Sequence, residues 1–164
     1  MQNSKQIIII VLARKNSKRI KNKNLKKIKD KSLIERTLSF AMKLNNFKVI
    51  ISTDSNKIKK ISKNFKNIII HHRTKKYSGS KSKSLVLIKK IISWYKEKYF
   101  KNIKGVILLQ PTTPFRQKKI LMKAINEFKK TKFKFNFISI SKDNNKNTLF
   151  FNKKTNLIKI SDKR

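Results

Sequence analysis

The chain has 164 residues, enough for one domain with a continuous core, and its 45 Lys+Arg against 7 Asp+Glu leave a formal net charge of +38. It contains no cysteine, which excludes disulfides and thiol catalysis, and only two glycines, Gly79 and Gly105, which excludes P-loops and glycine-rich dinucleotide fingerprints. The cations are mostly Lys, spread from end to end among many Ile and Asn. An AT-biased coding sequence produces that usage whatever the protein does, so the charge alone does not designate a polyanion partner.

In chain order, "IIIIVL" (residues 7–12) reads as a central strand, because it is apolar at every position and so suited to burial on both faces. It is far short of the roughly 20 apolar residues of a membrane span, and it runs into Arg-Lys rather than a small-residue cleavage site. The default expectation is therefore a cytoplasmic protein that does not engage a membrane. A basic loop follows to residue 25, then Ser32-Leu33-Ile34-Glu35, a capping-box pattern, with Ile34, Leu38, Ala41 and Met42 at helical spacing.

"KVIIST" (48–53) is the second expected strand, Ser55 is placed to cap a polar helix over 56–65, and "NIIIHH" (67–72) is the third strand. A loop through Tyr77-Ser78-Gly79-Ser80 leads to a helix with an expected apolar stripe of Leu85, Ile88, Ile92 and Tyr95 or Tyr99. "GVILLQ" (105–110) is the fourth strand, stopped by the prolines of "QPTTPFR". Ile120, Ala124 and Phe128 mark another amphipathic helix, "FNFISIS" (135–141) a fifth strand, and residues 148–160 a hairpin. Alternating apolar runs and helical patterns, without repeat or linker, predict one α/β domain over 1–164 with a largely parallel sheet.

Parallel strands joined by crossovers place their carboxyl ends on one edge, where open α/β sheets bind ligands. Four polar segments leave strands toward that edge: "ARKNSKR" after the first, "STD" after the second, the loop 73–84 after the third and "QPTTPFR" after the fourth. Arg14, Ser17, Lys18 and Lys23 surround a turn in which Asn16 is the expected left-handed residue, so that cations, a hydroxyl and backbone N–H groups face one anion. A nucleoside triphosphate suits such a loop, because cations at the leaving phosphates offset the charge that develops there. Asn24 and Gln110 carry amides able to read a base edge or hold a sugar hydroxyl.

"VLARKNSKRIKNKNLKKI", "VIISTD" and "LLQPTTPFR" together resemble the three motifs of the N-acylneuraminate cytidylyltransferase (CMP-sialic acid synthetase) family, close to A-R-x-x-S-K-x-x-x-x-K-N, S-T-D and L-L-Q-P-T-S-P-x-R, in matching order and spacing. The resemblance implies a three-layer, nucleotidyltransferase-like (Rossmann-like) α/β fold. It also implies an enzyme that joins CTP to a 2-keto sugar acid with magnesium and releases pyrophosphate. It maps nucleotide binding onto Arg14, Ser17, Lys18 and Asn24, catalytic charge neutralisation onto Lys18 and Lys23, and cytidine contacts onto Arg73 and Ser84. The acceptor sugar falls to Gln110, Thr112, Thr113 and Arg116. The runner-up acceptor is a related keto sugar, such as pseudaminic, legionaminic or ketodeoxyoctonic acid, since sugar choice lies largely outside these motifs.

There are departures as well. Where relatives carry Ser/Asp-Asp-Thr, this chain reads Gly79-Ser80-Lys81, and the family's dimerisation arm and late aspartate-rich, magnesium-holding segment correspond to positions after Arg164. The expectation is a chain truncated relative to its family, homodimeric in full-length relatives, that binds nucleotide and turns it over poorly. Asp54 is the one carboxylate at a strand end on the proposed edge, a candidate near a metal or a cap for the helix that follows. His71-His72 lacks a third ligand at suitable spacing. The competing reading, a basic nucleic-acid-binding module with Phe133, Phe135 and Phe137 as a stacking platform, ranks below the enzyme, because alternating aromatics suit the buried face of a strand.

Overall fold

The structure, a computed structural model, describes residues 7–17, 20–79, 84–99, 102–133, 149–152 and 157–160. Two compact units make up the chain, Met1–Lys134 and Phe135–Arg164. Strand β1 (Ile7–Leu12) is the centre of the first unit. Ile7 through Val11 are all at most 1 % exposed, the burial on both faces that an uninterrupted aliphatic run requires. It pairs in parallel with β4 (Lys48–Thr53) on one side and β6 (Gly105–Leu109) on the other, and β4 pairs in parallel with β5 (Ile68–His72). The sheet order is β5-β4-β1-β6. Between β1 and β4 lie a short hairpin, β2 (Lys27–Ile28) and β3 (Lys31–Ser32), and helix α1 (Leu33–Met42).

Helices cover both faces of the sheet. On one face Ile9, Val11, Val49 and Ile51 pack with Ile34, Leu38 and Ala41 of α1, with Ile58 of α2 (Asn56–Lys63) and, more openly, with Leu121 and Met122 of α5 (Lys118–Lys130). On the other, Ile8, Ile10 and Ile50 pack with Leu87, Ile91 and Tyr95 of α4 (Ser84–Tyr99). Between β5 and α4, residues Lys75–Ser78 make a single helical turn, α3, where a plain loop was expected. The second unit contains an antiparallel hairpin of β7 (Leu149–Asn152) and β8 (Leu157–Ile160), as expected. The strand expected over 135–141 lies outside the described residues.

Two helical faces differ from expectation. In α4 the buried stripe is Leu87, Ile91 and Tyr95, with Ile88, Ile92 and Tyr99 beside it, while Leu85 is 63 % exposed. In α5 Ile125 is buried and Ile120 is 59 % exposed. Both helices carry more apolar residues than one face holds, so two stripes, offset by about one residue, fit the same 3.6-residue period. Gly105 is required by close approach: a Cβ there meets Phe128 Cε1 at 2.5 Å and Ile7 Cγ1 at 3.3 Å.

The capping box of α1 is formed in full. Glu35 N–H donates to Ser32 Oγ at 3.3 Å, and Ser32 N–H donates to Glu35 Oε2 at 2.7 Å. The Ser32 hydroxyl and backbone hydrogen bonds hold the Glu35 carboxyl below its ordinary value of 4.5, with Lys27 and Lys31 adding to the effect and burial opposing it. A carboxyl whose folded pKa is depressed contributes stability that is fully present above its unfolded pKa and is lost as pH falls through the folded value. Ser32→Ala is expected to cost about 1 kcal/mol at neutral pH. The cost should shrink as pH falls below 4.5 and through the lower folded-state pKa of Glu35. Urea unfolding of both proteins at neutral and acid pH measures this.

Candidate functional site

The strand register determines which residues share the carboxyl edge. Leu12 lies opposite Ser52, Val11 opposite Leu109, and Thr53 opposite His72, so the segments leaving β1, β4, β5 and β6 begin at one level. The order β5-β4-β1-β6 reverses direction at β1, which makes the crevice between the β1 and β6 exits the topological switch point of the sheet. The basic loop leaves one side of that crevice, and "QPTTPFR" leaves the other.

The basic loop is held by its neighbours. Ala13 N–H donates to Ser52 O at 3.0 Å. The backbone N–H of Lys15 donates to Asp54 Oδ1 at 2.6 Å, the Asn24 amide donates to Arg14 O at 3.0 Å, and the Arg14 guanidinium reaches Gly79 O at 3.4 Å. Three of the four polar segments are thereby tied to one another, as expected of a convergent site. Asn24 is 7 % exposed and sits in a 3-10 turn, Lys23–Leu25. Among the described residues of this loop the left-handed one is Asn22, with φ 54°, and not Asn16. The turn that needs it is the entry to the 3-10 segment, and the short polar side chain of Asn tolerates that conformation.

Arg14 and Ser17 are half-buried at the start of the loop, and Lys23 is half-buried at its end. Lys18 lies outside the described residues. Arg73 is 7 % exposed, its backbone N–H donates to Thr53 O at 3.1 Å, and its guanidinium donates through Nε to Tyr77 O at 2.8 Å. Burial lowers the pKa of its guanidinium, Asp54 opposes that shift, and Arg14 adds to it. Ser84 is exposed at the first residue of α4.

Past β6, Gln110 is exposed, and its carbonyl accepts from Thr113 N–H at 3.1 Å and from the Arg116 guanidinium. Its side-chain amide makes no protein hydrogen bond among the described residues, which leaves it open to a ligand. Thr112 and Thr113 are exposed. Arg116 folds back on its own segment and reaches Thr37 Oγ1 of α1 at 3.4 Å. Burial lowers its pKa, and its guanidinium stands 5.8 Å from the Phe40 ring centroid. Between α1 and this segment runs an open groove of about 380 Å³, with Lys31, Arg36, Lys43 and Arg116 around Phe40 and Phe115.

Asp54 does not cap α2. That role belongs to Ser55, whose Oγ accepts from Ile58 N–H at 3.4 Å. No group of three or more His, Cys, Asp or Glu side chains able to hold a metal ion exists among the described residues. Asp54 has one oxygen committed to the Lys15 N–H, and magnesium bound through one or two carboxylates relies on substrate phosphates and water for its remaining ligands. His71 and His72 are engaged separately, with Nδ1 of His71 at 3.0 Å from Ser52 Oγ and Nδ1 of His72 at 3.2 Å from Lys59 Nζ. Burial lowers the pKa of His71 below its ordinary value, and the nearby His72 and Arg73 charges add to this.

The tie from Asp54 to the Lys15 backbone and the use of the Tyr77 and Gly79 carbonyls as arginine acceptors are not readable from motif spacing. The Asn-rich "KNKN" is the signal that locates the left-handed turn.

A search for known relatives agrees with this geometry. The sequence profile of the cytidylyltransferase family matches residues 8–163. N-acylneuraminate cytidylyltransferase of Escherichia coli is 31 % identical over 121 residues, which cover 73 % of this chain and 27 % of that protein. The chain therefore spans about a quarter of the curated relative it matches. Among solved structures, a cytidylyltransferase from Leptospira borgpetersenii superposes with a TM-score of 0.59 at 19 % identity, covering 77 % of this chain and 50 % of its own. A CMP:2-keto-3-deoxy-manno-octonic acid synthetase complexed with CTP superposes at 0.60 and 15 % identity, covering 76 % and 48 %. These superpositions establish the nucleotidyltransferase-like fold, and the profile match over nearly the whole sequence establishes that the chain belongs to the cytidylyltransferase family.

Proposed function

We propose that this chain carries the CTP-binding half of a cytidylyltransferase that activates an acidic 2-keto sugar of the N-acylneuraminate type, giving the CMP-sugar and pyrophosphate. The observation that carries the reading is the anchored basic loop at the switch point of the sheet, with Arg14 tied to the β5 exit, Lys15 tied to the β4 exit, and Asn24 bracing the loop from within through Arg14 O. The triphosphate belongs to Arg14, Ser17, Lys18 and Lys23, and the cytidine portion to Asn24, Arg73 and Ser84. The E. coli relative favours an N-acylneuraminate as acceptor. A ketodeoxyoctonic acid is the second reading, favoured by the fold neighbour that uses that sugar.

In this reading the anomeric hydroxyl of the acceptor attacks the α-phosphorus in line. A bond from the sugar oxygen to phosphorus forms as the bond from phosphorus to the oxygen bridging to the β-phosphate breaks, and pyrophosphate leaves with that electron pair. The hydroxyl proton passes to solvent. Lys18 and Lys23 offset the charge that builds on the leaving phosphates, and positioning supplies much of the remaining rate. Gln110, Thr112 and Thr113 face the acceptor, and the cationic groove beside Arg116 favours an acid. Slow turnover and assembly into a homodimer are part of the proposal.

Calorimetry is expected to show tighter binding of CTP than of ATP, and equal affinity for all four triphosphates contradicts the reading. Lys23→Ala and Lys18→Ala are expected to weaken CTP binding by about one to two decades, the worth of a charge-assisted contact of about 1.5–3 kcal/mol. Lys57→Ala in α2 and Lys119→Ala in α5, both exposed, should leave it within about twofold. Similar effects at all four positions would reduce the loop to part of the general basic background.

A further inference from the structure

Asp54 is held between two buried residues that are fixed on both sides. Thr53 is fully buried, its carbonyl accepts Arg73 N–H at 3.1 Å, and its Oγ1 accepts Ser55 N–H at 3.1 Å. Ser55, 4 % exposed, is committed to the start of α2. The turn is therefore rigid before any ligand arrives, and it aims the Asp54 carboxylate at the backbone of the basic loop, where Oδ1 takes the Lys15 N–H at 2.6 Å. The loop needs such an anchor, because Arg14, Lys15, Lys18, Arg19, Lys21 and Lys23 crowd into ten residues and repel one another. The Arg73 guanidinium, after β5, is close enough to feel the Asp54 charge.

We propose that Asp54 is a positioning residue that sets the basic loop in its ligand-ready shape through the Lys15 N–H, rather than a ligand of a metal or a cap of α2. The proposal rests on the nucleotide reading for its consequence, because a preformed loop spends less binding free energy on ordering when the triphosphate arrives. A carboxylate is well suited to the role: a charge-assisted bond to an N–H is stronger than a neutral one, and its charge offsets the repulsion within the loop. An anion this close to the phosphate-binding cations also opposes the nucleotide. The two effects of Asp54 on affinity therefore have opposite signs and can be separated by substitution.

Asp54→Ala removes both acceptor and charge, whereas Asp54→Asn keeps an acceptor oxygen and removes the charge. Amide hydrogen exchange at Lys15 in the nucleotide-free full chain reads the anchor directly, and calorimetric CTP affinity reads its consequence. Exchange at Ile9 in the core reports whether each variant is folded. Asp54→Ala is expected to accelerate Lys15 exchange and weaken CTP binding, each by about tenfold or more, with Ile9 unchanged. Asp54→Asn is expected to restore Lys15 protection to within a few-fold and to bind CTP at least as tightly as the parent.

Unchanged Lys15 exchange in Asp54→Ala overturns the proposal. An Asp54→Asn protein as poorly protected as Asp54→Ala also overturns it, because the retained acceptor oxygen would then not be what holds the Lys15 N–H. A parent protein without affinity for CTP sinks the nucleotide reading instead, and the exchange comparison still decides the role of Asp54.

Discussion

The candidate site depends on the burial of β1 between two parallel partners. Ile7, Ile8, Ile9 and Ile10 are each at most 1 % exposed, and burying an aliphatic side chain of this size contributes about 1.5–3 kcal/mol. That burial fixes the strand in depth, and its ladders to β4 and β6 fix it in register. A slip of one residue would turn every aliphatic face over and move the basic loop away from the β4 exit. The positions of Arg14, Asp54, Arg73 and Gln110 thus descend from an apolar run that contains none of them.

The edge gathers cations that are held in place by neutral acceptors. Arg14, Arg73 and Arg116 donate to backbone carbonyls, and Asp54 is the one carboxylate that the loop engages among the described residues. Carbonyl acceptors orient a guanidinium without neutralising it, so its charge remains available to a ligand. Of the two ion pairs among the described residues, Arg36 with Asp30 joins α1 to the turn before it and Lys130 with Glu127 lies within α5, and surface pairs of this kind are worth little.

Much of this was legible in the sequence because it is local. The aliphatic run of β1, the Ser32/Glu35 capping box, the Ser55 cap and the proline stop after Leu109 each follow from a few neighbouring residues, and all stand in the structure. Convergence of the polar segments followed from the parallel topology. What failed to show was what depends on tertiary choice. Leu85 and Ile120 look like core residues in isolation, and only the sheet decides that Leu87 and Ile125 are buried instead. Asn16 and Asn22 are equally able to adopt a left-handed turn, and the 3-10 segment selects Asn22. The Asp54 contact joins a side chain to a backbone 39 positions away, a pairing that residue types alone do not encode.

The central claim is that one edge of the sheet, and not the general basic surface, receives the nucleotide. Titrating CTP into the isotope-labelled protein and following backbone amide shifts tests it most directly. The account predicts shifts gathered at residues 13–25, 52–55 and 73–79, with the lysine-rich exteriors of α2, α4 and α5 unmoved. Shifts spread evenly over those helices, with none concentrated at the strand exits, would contradict it.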